Sequence, residues 1–189
     1  MRNLLLKTLL LGIFVFNAQT SFAQEEEKDL LNYQSRDWMV QEIEVHEMWN
    51  EPACAARTMG DDQQSILEVV AFKDSQGNYT EPMVQVFGPM NEIFFTVTAE
   101  TRRSSEVFDL LPVYPEQAQT DYVSAVAQFD DREALINAIA QKNTLTAMYF
   151  DAQGMVKDVT FSLRGSSNAV NKLFSECATE MMEEELIQD

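Results

Sequence analysis

The chain is poor in the residues on which most enzyme chemistry depends. Its 189 residues include one histidine, two cysteines and six glycines. Every triad, general-base or metal scheme that needs an imidazole must use His46. No Cys-x-x-Cys pair, phosphate-binding loop or glycine-rich dinucleotide motif occurs. We therefore expect no catalytic residues, no cofactor and no metal site, and a protein that is not an enzyme.

Positive charge is also scarce. The chain has 13 lysines and arginines against 31 aspartates and glutamates, which gives a formal net charge of −18. Such a charge argues against nucleic-acid partners and anionic membrane surfaces, because both would repel the chain. Part of the negative charge lies in runs at residues 25–27 and 183–185, which we interpret as solvated tails. We expect the partner to be an unknown protein or an envelope component, since the N-terminal segment indicates export.

An apolar stretch near the N-terminus indicates export. Residues 8–16 are mostly apolar, Arg2 and Lys7 precede them, and Ser21 and Ala23 offer small side chains for cleavage after Ala23. This pattern is typical of a secretory signal peptide, and the apolar stretch is too short to span a bilayer. A retained membrane anchor is the alternative. We expect a periplasmic or secreted protein of a bacterial envelope, without stable membrane insertion after cleavage.

The expected organisation is simple. The predicted parts are a signal peptide (1–23), a flexible acidic N-terminus (24–35), a single β-rich domain (36–182) and an acidic tail (183–189).

Cys54 and Cys177 both lie in the predicted domain. In an oxidising compartment an even pair predicts one disulfide bond, which here would enclose most of the domain. The chain-entropy model gives such a long loop about 4–5 kcal/mol of stabilisation. Two buried free thiols are the alternative.

Short alternating segments predict antiparallel β structure in the middle of the chain. The first segment, Trp38 to Glu47, changes the phase of its apolar residues between Val40 and Ile43, which predicts a bulge. Two later segments, 83–87 and 93–99, are predicted to pair with each other. The other predicted strands are 66–72, 106–111 and 122–129.

The C-terminal third contains two predicted helices around a hairpin. Asp130 and Glu133 can cap a helix over 130–143, and strands 145–150 and 155–163 form the hairpin. After Gly165 a serine can cap a last helix, on which apolar residues recur at helical spacing up to Met181. We predict a mainly β fold, an antiparallel β-sandwich or partly closed barrel, with two short helices near the C-terminus.

Several segments resemble the invasion-associated locus B family over roughly residues 36–175. The residues that carry the resemblance are Trp38-Met39-Val40, Cys54-Ala55-Ala56, the run 127–135, Thr146 to Asp151, and Phe161 to Gly165 with Ala169 and Leu173. The resemblance implies a secreted envelope protein with a mostly β fold that is linked to host-cell association. It implies no established enzymatic chemistry.

Two positions depart from the family pattern. Tyr122-Val123-Ser124 stands where many members carry Gly-Cys, and Ser166 replaces an aromatic residue. The disulfide connectivity of the family therefore cannot be transferred, and the pairing of Cys54 with Cys177 rests on the residues alone.

Four other residues form a possible contact patch. Met48 and Trp49 lie beside Pro52 and are either exposed or part of a buried strand end. Arg102 and Arg103 follow a predicted strand, and a loop arginine pair can hold a carboxylate or a phosphate.

The predicted function is a non-enzymatic binding or interaction module. One alternative is a small envelope enzyme or thiol-dependent factor that pairs Cys54 with His46, although alternation places His46 on the polar, exposed side of its strand. Another alternative is an envelope chaperone or inhibitor that offers a long, unguarded sheet edge to a partner strand.

Overall fold

A computed structural model of the chain describes residues 31–89, 93–113, 122–150 and 153–177. The predicted signal peptide, most of the predicted acidic N-terminus and the acidic tail lie outside these residues. The strands are β1 (Asn32–Ser35), β2 (Trp38–Ile43), β3 (Ala53–Met59), β4 (Ile66–Phe72), β5 (Met83–Pro89), β6 (Ile93–Glu100), β7 (Ser105–Val113), β8 (Tyr122–Ala127), β9 (Thr144–Phe150) and β10 (Val156–Ser162). The helices are α1 (Arg132–Gln141), which follows a 3-10 turn at Phe129–Asp131, and α2 (Ser166–Cys177).

All described strands belong to one antiparallel sheet. Its order is β1-β2-β3-β4-β5-β8-β7-β6-β9-β10. Strand β7 joins the two parts of the sheet, because its first half pairs with β6 and its second half with β8. The predicted mainly β, antiparallel fold with two helices near the C-terminus is confirmed.

The sheet curls so that its last strand approaches its first ones without closing. Gly60, just after β3, forms an isolated bridge with Phe161 of β10. The Asp61 N–H donates to the Thr160 carbonyl (3.0 Å), and the Trp38 indole N–H donates to the Ser162 carbonyl (2.9 Å). The ends of the described chain therefore meet across this gap.

Strands β3 to β5 are covered on both faces. The face that carries Cys54, Ala56, Leu67 and Val69 belongs to the main core, with residues of α1 and α2. The opposite face carries a smaller apolar cluster that includes Val70 and Phe72. Residues 44–52, which connect β2 to β3 and are called the cover loop here, contribute Trp49 to that cluster.

The two helices bury one side each, as amphipathic helices do. The buried side of α1 consists of Leu135, Ile136, Ala138 and Ile139. The predicted capping by Asp130 and Glu133 is wrong, because α1 begins at Arg132 after the 3-10 turn and no side-chain cap bond is present at either start.

The start of α2 is held by close contacts. Gly165 has φ +93°, and a Cβ at this position would collide with the Ser35 carbonyl, so the turn requires glycine. The Ser166 hydroxyl contacts the carbonyls of Ile139 (2.6 Å) and Leu163 (2.8 Å), which ties the start of α2 to the end of α1. The predicted Met181 lies outside the described residues.

Strands β1 and β3 were not predicted. Residues 32–35, assigned to the flexible N-terminus, pair with β2. Strand β3 is rich in alanine and buried on both faces, so it shows neither strong β propensity nor alternation.

Two further predictions about the strands are wrong. Strand β2 pairs with β3 in continuous register from Met39 to Ile43 and has no bulge. The apolar residues change phase because Val40 packs in the main core and Ile43 packs against the cluster on the opposite face. Strands β5 and β6 do not pair; β5 lies between β4 and β8, and β6 between β7 and β9.

No helix in the described part of the chain is long and apolar enough to cross a membrane.

Candidate functional site

The structure contains the predicted disulfide bond. Cys54 on β3 is bonded to Cys177 at the end of α2, with 6.2 Å between the Cα atoms. Both residues are buried in the main core. The bond therefore fastens the last described helix to the third strand, and neither cysteine is a free thiol.

The predicted surface position of His46 is wrong. The residue lies in the cover loop rather than in a strand, and it is 1% exposed. Backbone bonds from His46 N–H to the Glu51 carbonyl and from Asn50 N–H to the His46 carbonyl, each 2.9 Å, hold the loop in shape. The ring packs edge-on against Phe72 and Phe87.

Both ring nitrogens of His46 have hydrogen-bond partners. The Met48 N–H donates to Nδ1 (3.1 Å), so Nδ1 acts as an acceptor. Nε2 lies 2.7 Å from Oε1 of Glu68, a carboxylate oxygen that accepts this bond. Both ring nitrogens are therefore engaged, and the imidazole is held between the cover loop and the sheet.

Glu68 is the centre of a group that we call the buried polar network: His46, Glu47, Arg57, Glu68 and Gln85. The Glu68 side chain is fully buried on β4 and accepts bonds from His46 Nε2 and Gln85 Nε2. Its Oε2 lies 2.9 Å from Nη2 of Arg57 as an ion pair. Burial alone would raise the pKa of Glu68, but the His46 bond and the Arg57 charge together hold that pKa below its usual value.

Arg57 connects the network to the surface. Its guanidinium donates to both carboxylate oxygens of Glu47, at 2.8 and 3.2 Å, and Glu47 is partly exposed. Burial would raise the pKa of Glu47, but the hydrogen bonds and charge of Arg57 lower it overall. Burial would lower the pKa of Arg57, but Glu68 and Glu47 raise it overall. The Arg57 guanidinium thus forms ion pairs with two carboxylates, those of Glu47 and Glu68.

Gln85 completes the network from β5. Its Oε1 accepts from the Trp49 indole N–H (3.0 Å) and from the Ser124 hydroxyl (2.9 Å). Trp49 also packs edge-on against Phe72, with 5.9 Å between ring centroids. The network and the aromatic rings together fasten the cover loop to three strands.

The predicted contact patch is not one surface. Met48 is fully buried and Trp49 is half-buried, both in the cover loop. Arg102 and Arg103 are exposed in the turn between β6 and β7, which belongs to a different part of the sheet. The Thr101 hydroxyl accepts from the N–H groups of Arg103 and Ser104, both at 3.2 Å, and shapes that turn.

The predicted alternative pairing of Cys54 with His46 is wrong. Cys54 is in the disulfide and faces the main core, whereas Glu68, the partner of His46, faces the cover loop on the other side of the sheet. Among the described residues, no three His, Cys, Asp or Glu side chains are placed to share a metal ion. The hydrogen bonds and ion pairs of the buried polar network hold the cover loop against the sheet.

Sequence reasoning missed Arg57, Glu68 and Gln85. A signal existed for Glu68, since a glutamate inside the apolar run from Ile66 to Phe72 must be paired if the strand is buried. The pairing itself was not readable, because its partners come from a loop and two other strands.

The sheet edges in the described residues do not match the predicted long, unguarded edge. Strand β1 has four residues. Strand β10 carries Lys157, a common edge guard, and its second half bonds to Gly60 and Asp61.

Comparisons with known proteins give a structural likeness and no sequence-level match. No family model and no curated protein matches the chain. Among solved structures, the chain is similar to the crystal structure of invasion associated protein B from Bartonella henselae. The TM-score is 0.48 with 13% sequence identity, and the match covers 77% of this chain and 96% of that chain. The predicted resemblance to that family is confirmed as a loose one, and it assigns no partner or activity to this chain.

Proposed function

We propose that this chain is a secreted or periplasmic envelope protein that acts by binding another molecule and not by catalysis. The observation that carries the proposal is that the single imidazole and both thiols are used in bonds that hold the core. A nucleophile or general base must reach a substrate, and these groups are buried and already bonded.

Export is supported by two independent features. The N-terminal charge and apolar pattern is that of a signal peptide. The Cys54–Cys177 bond needs an oxidising compartment to form and to persist. A disulfide that joins the last described helix to β3 suits a protein that must keep its shape outside the cytoplasm.

Intact mass measurement tests the proposal. The protein is purified from its native envelope without reductant and measured with and without thiol alkylation. We expect the mass of residues 24–189 less the hydrogens lost in one disulfide, with no alkylation. The same sample after denaturation and reduction is the matched control, in which both cysteines should be alkylated.

Two results would contradict the proposal. A mass that includes residues 1–23 would mean that the N-terminal segment is retained. Alkylation of Cys54 in the native protein would show a free thiol and would return thiol chemistry to consideration.

A further inference from the structure

Unpaired positive charge collects at one end of this acidic protein. Five described lysines and arginines form ion pairs, namely Arg57, Lys73, Arg132, Lys142 and Lys172. Of the other five described cations, only Lys157 lies elsewhere. We call the remaining four, Arg36, Arg102, Arg103 and Arg164, the arginine end; all are exposed and have no ion pair to a described residue.

Backbone hydrogen bonds bring these arginines together. Asn143 N–H donates to the Glu100 carbonyl, and Leu163 N–H donates to the Asn143 carbonyl, each at 3.0 Å. This connects the turn that carries Arg102 and Arg103 to the segment before Arg164. The Asp37 N–H donates to the Arg164 carbonyl (3.3 Å), which places Arg36 beside Arg164. Three separate segments thus present arginines on one rim of the sheet.

The four arginines are spread along the rim of the sheet and do not converge on one point. Glu100 ends β6, Asn143 directly precedes β9 and Leu163 directly follows β10. These three strands are neighbours in the sheet, so the rim is at least two strand spacings wide, about 10 Å. Several separated guanidinium groups match a chain of anions better than one small ion, because each can bind its own carboxylate in a bidentate way.

We infer that the arginine end binds an extended acidic peptide segment of a partner protein. This inference rests on the proposed function, since it names the class of partner that the binding protein would take. Acidic side chains of the chain itself stand among the arginines: Asp37 accepts from the Ser162 hydroxyl (2.6 Å), and Glu106 pairs with Lys142.

These acids favour a narrow ligand over a flat one. A bilayer of anionic lipid or a nucleic-acid backbone would meet Asp37, Glu100 and Glu106 as well as the arginines, and the net charge of −18 would repel it. A peptide can place its carboxylates at the arginines and keep them away from these acidic side chains of the protein. Local pairing then outweighs the repulsion between the two molecules.

Fluorescence anisotropy tests the inference with the disulfide-bonded protein of residues 24–189. The probe is a fluorescein-labelled peptide that alternates glutamate and serine. We expect saturable binding that weakens with added salt, and a loss of about tenfold in affinity in Arg164→Glu, because one charge-assisted contact is replaced by a repulsive one.

Lys157→Glu is the matched control. It changes the net charge by the same amount at an exposed, unpaired cation, but Lys157 lies five residues along β10 from Ser162, about 17 Å from that end. Its affinity should fall less than about twofold, since charges at that distance are screened. Arg102→Glu combined with Arg103→Glu should lose binding altogether. Thermal unfolding of each variant verifies that it is folded.

Three outcomes would overturn the inference: no saturable binding of the peptide, an equal loss in Arg164→Glu and Lys157→Glu, or tighter binding to vesicles of anionic lipid or to a sulfated glycan than to the peptide. These outcomes are independent of the mass measurement. An intact disulfide and a cleaved N-terminus, with no peptide binding, would leave the proposed function unaffected. That result would reject only the inference that the arginine end binds an acidic peptide.

Discussion

The two faces of strands β3 to β5 are covered in physically different ways. The helix side is apolar and is closed by the Cys54–Cys177 bond. The loop side has a small apolar cluster and is held by the buried polar network around Glu68. Hydrophobic burial tolerates many arrangements, whereas a buried carboxylate tolerates only the one that supplies its partners.

The difference shows where specificity lies. The helix side would remain favourable after small shifts, because apolar contacts are not directional. On the loop side His46, Arg57 and Gln85 must all reach Glu68, so a shift of the cover loop would break the directional bond that His46 makes. The four predictions that follow separate these two modes, beginning with the largest effect.

Removing the disulfide should destabilise the helix side most. Cys177→Ser should lower the free energy of unfolding by up to about 4–5 kcal/mol, because the unfolded chain regains the entropy of a loop that encloses most of the domain. Denaturant unfolding with and without reductant measures this loss. Wild-type protein under reductant should lose nearly as much. An equal deficit of the variant in both conditions would instead assign the effect to packing.

Glu68→Ala should destabilise the loop side by about 3–5 kcal/mol, because Arg57 would lose its buried counter-charge and His46 its acceptor. Urea unfolding measures the change, and Glu68→Gln serves if the alanine variant fails to fold. Glu106→Ala is the control: its pair with Lys142 is half exposed and should contribute under about 1 kcal/mol. Similar losses in both variants would mean that the network contributes no more than a surface pair.

Met48→Ala tests the attachment of the cover loop without touching a charge. Met48 is fully buried, so we expect a loss of about 2–3 kcal/mol, the low end of the usual range because a loop can partly collapse into the space. Met59→Ala, at a side chain that is 56% exposed, should change stability by less than about 0.5 kcal/mol. If the two variants behave alike, the loop does not depend on this anchor.

Acid should weaken the loop side selectively. The pKa of Glu68 is below its ordinary value of 4.5 in the folded protein, so the unfolded chain takes up this proton at a higher pH than the folded one. The stabilisation is therefore present above about pH 4.5 and is lost as the pH falls toward the lowered value. Glu68→Gln should flatten the dependence of unfolding free energy on pH in this range. Identical slopes in both proteins would place the acid sensitivity at other carboxylates.

The same contrast explains how much of the fold could be predicted. The hairpin of β9 and β10, α2 and the disulfide were visible because alternation, helical spacing and cysteine count are local or compositional signals. Strand β3 and the continuous pairing of β2 were missed where two covered faces remove the alternation on which such predictions depend.

The loop side could not be predicted from the sequence in the same way. His46 is 22 positions from Glu68, and Gln85 is 17 positions beyond it on another strand. Their meeting depends on the sheet order and on the path of the cover loop, which no periodic pattern encodes. Arg102 and Arg103 were noticed as a pair, but Arg36 and Arg164 join them only through the curl of the sheet.

The indole bond between Trp38 and Ser162 has a consequence for how the chain matures. These residues are 124 positions apart, so β2 cannot complete its contacts until almost the whole domain has been synthesised. Contacts of such high sequence separation slow folding, since most of the loop-closure entropy is lost before they form. The gap between the first and last strands of the sheet can therefore be bridged only after β10 has been synthesised.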